Sequence, residues 1–240
     1  MMTMQVLGSS SSGNCYIFQT DSEALIVEAG VKMADVKVAL DYNLRKVCGC
    51  LVSHIHNDHA KFARKMAENG FPVLALPEVL DAKGISVSRA IPLIFGKGYK
   101  FGGFKVRPFE AQHDVPCAGF LIEHAEMGRT LFLTDSCLCR YTFPGLRHIM
   151  MEANYSDPRL IEAIADGRTR QSQRDRLMTS HMELFNAIDS IKANDLSNVT
   201  EIVLLHLSDN NSNEAEFVRT AQAAIGLPTY AAKPGLTMLF

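Results

Sequence analysis

The octapeptide SHIHNDHA, Ser53 to Ala60, puts three histidines and an aspartate within six positions directly after the apolar run CGCLV. Ligand-type side chains crowded this densely are costly to keep without a cation to satisfy them. On an extended segment residues i and i+2 point to the same side, so His54 and His56 can present imidazoles to one ion. The adjacent Asp58 and His59 must then turn elsewhere. The spacing predicts two metal ions. It differs from the helical HExxH arrangement, whose two histidines lie one turn apart and bind a single zinc.

A two-metal site needs further ligands from the ends of other strands. Three candidates stand where an apolar strand gives way to polar residues: His113 in FEAQHDV, Asp135 in FLTDS and His206 in LLHLS. The two oxygens of a carboxylate such as Asp135 suit it to bridging two ions. A lone histidine beside a strand is more often structural, and His124, His148 and Gln112 are read that way. Beside HIHNDH the same reading fails for His113 and His206.

The rest of the chain reads as two strand-rich halves closed by helices. The strands MQVL, CYIF and ALIVEAG form a meander, with GSSSSGN as the turn between the first two. That run lacks the GK[ST] ending of a P-loop, so it is not read as a phosphate cradle. A helical stretch from Met33 to Leu44 precedes CGCLVS, and Ala60 to Asn69 and Glu78 to Lys83 also read as helices. The Gly- and aromatic-rich FGKGYKFGGFKVRPFEA predicts a hairpin, followed by the strands CAGFLIEH, RTLFLTDS and HIMMEAN. Helices over Pro158 to Asp166, Met182 to Asn194 and Asn213 to Ile225 flank the strand EIVLLHL. Two sheets packed face to face with helices outside are expected, in one domain over residues 1–240, without repeats or a long linker.

Composition excludes several classes. A 47% hydrophobic fraction with 21% charged residues is that of a globular protein, and no stretch approaches the roughly 20 apolar residues of a membrane span. The start MMTMQVLGSS has no basic segment followed by a long apolar one, so a cytoplasmic location is expected. The six cysteines sit mostly inside apolar runs, which favours reduced thiols. A net charge of -2 gives no general attraction to nucleic acid, so binding of that kind must come from local charge.

The HxHxDH pattern of His54, His56, Asp58 and His59 resembles the signature of the metallo-β-lactamase fold hydrolases. The resemblance implies an α+β fold, a four-layer αββα sandwich of two mixed sheets. It further implies His54, His56 and His113 around one ion, Asp58, His59 and His206 around the other, and Asp135 bridging. Within the superfamily, LGSSSSGNCYIF, MEANYSD, SHMEL and LLHLSDNN are similar to blocks of the YycJ/WalJ-like group of small exonuclease-like proteins. The same blocks resemble ribonuclease Z, which implies that Glu152 and His181 protonate the leaving group. The sequence departs from the pattern at Glu28, where an aspartate is usual, at Tyr155, where the close group tends to have histidine, and in SHMEL, which replaces a more usual GHLSN. No inserted clamp domain of the larger β-CASP nucleases is present.

Two divalent ions outweigh the charge of Asp58, Asp135 and a bridging hydroxide, so an anionic substrate is favoured. Paired ions lower the pKa of the shared water and hold attacking and leaving oxygens in line, as phosphodiester hydrolysis requires. Asp58 would orient the nucleophile. The densest basic run, GRTRQSQRDR, offers Arg168, Arg170 and Arg174, with Arg176 beyond, to the phosphates flanking the site. The expectation is a metal-dependent phosphodiesterase or nuclease cutting DNA or RNA. Zinc is the leading metal, and manganese or iron are compatible with mixed His and carboxylate ligands. The alternatives are hydrolysis of a small ester, thioester or lactone on the same fold, and a noncatalytic protein using metal only for structure.

Overall fold

In the computed structural model, which describes residues 1–208 and 211–240, the apolar runs become strands of two seven-stranded sheets. The first half of the chain opens with the antiparallel meander β1 (Thr3–Ser10), β2 (Gly13–Gln19) and β3 (Ala24–Val27). It continues through α1 (Met33–Ala39), β4 (Val47–Leu51), α2 (Asn57–Ala60), α3 (Ala63–Glu68), β5 (Val73–Ala75), α4 (Pro77–Ala82) and β6 (Ala90–Pro92). Strands β3 to β6 are parallel.

The second half repeats this plan. An antiparallel set, β7 (Tyr99–Phe101), β8 (Phe104–Ala111), β9 (Cys117–His124) and β10 (Gly128–Leu133), leads into parallel units. These are β11 (His148–Glu152), α5 (Asp157–Ala165), α6 (Gln171–Ser180), α7 (Leu184–Lys192), β12 (Glu201–Leu205), α8 (Glu214–Ile225) and β13 (Thr229–Ala231). A last strand, β14 (Thr237–Leu239), returns to pair with β1. The topology is therefore duplicated although no sequence repeat announces it.

Strand alternation builds the layers. Phe132, Met150, Val203 and Leu205 face inward, packing with Tyr16 and Phe18 of the first sheet, and the Tyr16 and Phe132 rings meet edge to face at 5.1 Å. Their sequence neighbours Leu131, Leu133, Ile149, Met151, Ile202 and Leu204 face outward against Leu184, Ile188 and Ile191 of α7 and Phe217 of α8. Burial on both faces explains why HIMM and IVLL are continuous apolar runs rather than alternating ones. With helices α1, α3 and α4 on the first sheet, the expected αββα sandwich is formed. All six cysteines are free, and no helix among the described residues is long and apolar enough to cross a membrane.

Local details go beyond the sequence pattern. The run QSQRDRLMTS is the helix α6; it buries no apolar face, so hydrophobic periodicity could not announce it. Helix α7 starts two residues later than its apolar pattern suggests, because the Glu183 carboxylate caps the amides of Phe185 and Asn186. The three-residue strands β6, β13 and β14 are too short for a periodic signal.

Candidate metal centre

The site lies where the parallel strands end. His54 follows β4, Glu28 follows β3, Asp135 follows β10 and His206 follows β12, while Glu152 is the last residue of β11. Carboxyl ends of parallel strands in a topology with crossovers leave a crevice, which is where such sheets place ligands. Three of these residues, Glu28, Asp135 and His206, adopt φ values of 70, 45 and 52°. Left-handed backbone is strained for residues with a Cβ, and surrounding packing must impose it. Here it turns each side chain back across the strand ends. The extended segment ends at His56, and Asp58 and His59 lie on the single turn α2, which brings the His59 ring to 4.3 Å from the His54 ring.

The expected ligands converge on Asp135. His54, His56, His113 and Asp135 bring one donor atom each within 4.8 Å of one another, and so do Asp58, His59, Asp135 and His206. Asp135 Oδ2 faces His54 Nε2 at 3.8 Å and His113 Nε2 at 3.9 Å. Its Oδ1 faces His59 Nε2 at 3.3 Å and His206 Nδ1 at 3.7 Å. Asp58 Oδ2 stands 3.3 Å from His59 Nε2 and 3.4 Å from His206 Nε2.

Divalent ions fit this set. The buried ring nitrogens His54 Nε2 and His206 Nε2, which face Asp135 and Asp58, have no hydrogen-bond partner among the described residues. Each such group carries an uncompensated cost of about 1–3 kcal/mol that a ligated cation can remove. Other ring nitrogens are oriented by the protein: His54 Nδ1 meets Ser53 Oγ at 2.8 Å, and His113 Nδ1 donates to the Ser180 carbonyl at 2.7 Å. Hydrogen bonds of this kind fix the tautomer that leaves the opposite nitrogen free to ligate.

Electrostatics point the same way. Burial holds the His54 and His113 imidazoles below their ordinary range, hence neutral. Burial opposes ionisation of Asp58 and Asp135, but His206 and His59 beside them outweigh it and keep both carboxyls well below theirs. Against its own burial, His206 is pushed up to about 10 by Asp135, Asp58 and Glu152. The carboxylates thus create a field that calls for positive charge, which a divalent ion supplies.

Glu152 and His181 meet at the edge of this cluster, with Glu152 Oε1 accepting from His181 Nδ1 at 2.7 Å. The His181 ring stacks on His206 at 5.4 Å and lines a cleft of about 300 Å³ with Ser180, His206, Asn154 and Arg176. The basic run behaves otherwise than expected. Arg168 pairs with Asp166 at 2.9 Å and Arg174 lies 3.6 Å from Asp157, each drawn to a carboxylate outside the cleft. Arg170 is exposed at the start of α6. The arginine that reaches the cleft is Arg176, one helical turn before Ser180.

Several supporting residues had no signal in ligand spacing. Asp114 lies 3.1 Å from His113 Nε2 and 3.6 Å from His56 Nε2. Asn14, from the GSSSSGN turn, stands 3.0 Å from His59 Nε2, and Asn154 donates to the His206 carbonyl at 2.8 Å. Glu28 Oε2 reaches His59 Nδ1 only at 3.5 Å. Tyr155 is buried and pairs with Glu183 instead of entering the cluster. The block SHMEL now has a reason: the Ser180 carbonyl orients His113, His181 meets Glu152, the Met182 amide donates to Glu152 and Glu183 caps α7. In LLHLSDNN, Asp209 and Asn210 lie outside the described residues.

Residues 10–135 match the model of the metallo-beta-lactamase superfamily. Among curated relatives, an exodeoxyribonuclease YycJ of Bacillus anthracis is 26% identical over 233 residues, covering 90% of this chain and 87% of that protein. An exodeoxyribonuclease WalJ of Streptococcus pneumoniae is 25% identical over 245 residues, covering 92% and 89%. Among solved structures, the metallo-beta-lactamase fold protein YhfI of Bacillus subtilis superposes with a TM-score of 0.75 at 17% identity, covering 99% of this chain and 98% of that one. A diphosphatase of the PhnP family gives 0.68 at 15%, covering 100% and 98%. The short form of human tRNase Z gives 0.61 at 12%, covering 99% and 98%. These structural likenesses concern the fold. With the family match, the two-sheet sandwich and the His/Asp cluster together, the chain belongs to the metallo-β-lactamase superfamily and is a hydrolase.

Proposed function

We propose that this hydrolase is a phosphodiesterase that cleaves DNA or RNA, acting as an exonuclease. The observation that carries the reading is the Glu152–His181 pair at the lip of the His/Asp cluster, because a proton donor for an alkoxide leaving group is what nucleotide esters require and activated esters do not. The curated relatives named exodeoxyribonucleases support the same reading.

In this proposal His54, His56 and His113 would hold one divalent ion, Asp58, His59 and His206 would hold a second, and Asp135 would serve both. Zinc is the leading candidate, with manganese and iron also suited to the donor set. Such ions supply neutralisation of phosphate charge and activation of water. The protein does the rest. Asp58, with Oδ2 engaged by His59 and His206, keeps Oδ1 for orienting the attacking water. Glu152 is fully buried and accepts from His181 Nδ1 and from the amides of Ser136 and Met182, so it fixes the imidazole rigidly. Burial acts against charge on His181, yet Glu152 outweighs it and raises the imidazole above its ordinary range. The protonated form is thereby favoured, and its Nε2 can hand a proton to the departing oxygen. Arg176 would grip a flanking phosphate in place of Arg168, Arg170 and Arg174.

The test is chelation, reloading with Zn²⁺ or Mn²⁺, and assay on bis(p-nitrophenyl) phosphate and on end-labelled DNA and RNA, with Asp58→Ala as control. Metal-dependent cleavage lost in the variant is expected, and a ladder trimmed from one end marks an exonuclease. Hydrolysis of carboxylic esters or thioesters, with every phosphodiester left intact, would overturn the reading.

A further inference from the structure

A second surface, remote from the cluster, carries the chemistry of a polynucleotide track. Helices α7 and α8 cover the outer face of the second sheet only over β11 to β13. Over β8 to β10 the cover is the connection after β10, and it stops at Phe143 and Pro144. Beyond it opens a groove of about 560 Å³ whose walls include Tyr99, Lys100, Lys105, Arg107, Arg129 and Phe143.

Its charge is one-sided. The single acid in the lining, Glu123, holds Lys105 at 2.9 Å and Arg129 at 3.0 Å, so these cations are fixed in place and only partly neutralised. Lys100 and Arg107 are exposed and have no carboxylate within 4.0 Å among the described residues. Glu110 lies on the same strand as Arg107 but, an odd number of positions away, projects from the opposite face. Such a surplus of cations in a chain of net charge -2 is a local feature. Aromatic rings border it: Phe143 in the wall packs on buried Phe109 at 4.9 Å and, outside the lining, on Tyr141 at 6.2 Å, which is 40% exposed.

Two chain segments connect this groove to the cluster. Strand β8 runs from Lys105 and Arg107 in the groove to Ala111, two residues before His113. The connection after β10 leaves Asp135, passes Arg140 and Tyr141, and ends on the groove wall at Phe143. At about 3.3 Å per residue, Arg107 stands about 20 Å along the strand from His113. At the stacked rise of about 3.4 Å per nucleotide that distance is about six nucleotides, and it is fewer once the bases unstack.

We infer that this groove binds single-stranded nucleic acid within about six nucleotides of the scissile bond, its cations on the phosphates and its rings on unstacked bases. Cations that follow a backbone, interleaved with aromatic rings, are the chemistry of sequence-independent single-strand binding, whereas a duplex would keep its bases from the rings. The inference rests on the phosphodiesterase reading above.

The test uses Lys100→Ala combined with Arg107→Ala, two exposed side chains outside the cluster. Binding is measured on chelator-treated protein by fluorescence anisotropy with labelled oligothymidylates of 20 and 4 nucleotides. Cleavage of the 20-mer and of bis(p-nitrophenyl) phosphate is measured after reloading with Mn²⁺. Removing two contacts should flatten the slope of log affinity against log salt by about 1.4 and weaken the 20-mer about tenfold at 0.15 M salt. The 4-mer and bis(p-nitrophenyl) phosphate should be unaffected. If wild type cuts the 20-mer and the variant binds it equally well, the groove is not the track and the nuclease reading stands. If wild type hydrolyses bis(p-nitrophenyl) phosphate but cuts no polynucleotide, the nuclease reading fails and the track fails with it.

Discussion

Glu152 and His181 are joined by a hydrogen bond of 2.7 Å, from the last residue of β11 to the residue closing α6, 29 positions further along the chain. A carboxylate that accepts two backbone amides as well has no freedom to follow a moving imidazole, so the imidazole is positioned before substrate arrives.

That rigidity gives the first prediction. His181→Ala should lower kcat by about 10² to 10⁴ on oligonucleotides, the ordinary contribution of a positioned acid. On bis(p-nitrophenyl) phosphate the loss should be far smaller, because p-nitrophenolate leaves without a proton. Equal losses on both substrates would show that His181 does not serve the leaving group. Metal content should not change.

Asp135 divides its oxygens between the two halves of the cluster, whereas His113 belongs to one. Metal analysis by inductively coupled plasma mass spectrometry should therefore find about two ions per chain in the wild type and about one in His113→Ala. In Asp135→Ala both ions should be lost. Chelation should lower Tm in the wild type and hardly at all in Asp135→Ala, since only a protein that binds ligand is stabilised by it.

Gly30 has no room for a side chain: a Cβ there would fall 1.7 Å from the Asp58 carbonyl oxygen and 2.6 Å from the Asn14 amide. Gly30→Ala must displace α2, and with it Asp58 and His59. A destabilisation of about 1–3 kcal/mol is expected, as for other overpacked sites. Weaker retention of metal on dialysis should accompany it. Gly98→Ala, which meets open space, is the control and should change neither.

At the opposite end of the sandwich, Glu23 accepts from the Gly103 amide at 2.6 Å and faces His124 and Cys48, tying the two sheets together. The amide, then His124, hold its carboxyl below its ordinary value near 4.5. A group depressed on folding contributes stability that is present above its unfolded pKa and lost as pH falls through its folded one. Wild type should therefore exceed Glu23→Gln in Tm near pH 7. The gap should narrow as pH falls below the ordinary value near 4.5 and close once pH is below the depressed folded pKa, as measured by thermal melts. A gap independent of pH would mean that the charge is not what matters.

Much of this was legible in the chain itself. The HIHNDH cluster, the strand-end positions of His113, Asp135 and His206, and the buried runs HIMM and IVLL are local facts, because ligand density and hydrophobic period are written residue by residue. Tertiary structure alone decided which partner each polar side chain meets. It turned Arg168 and Arg174 toward Asp166 and Asp157 and left Arg176 at the cleft. It also brought Asn14, Asp114 and Asn154 to the ligand histidines across as many as 58 sequence positions. Helix α6 was hidden for a related reason, since a helix that buries no apolar face leaves no period to read. Spacing along a chain fixes what one strand end can offer; which strand ends converge is set by sheet order and by left-handed turns at Glu28, Asp135 and His206, imposed by the packing around them.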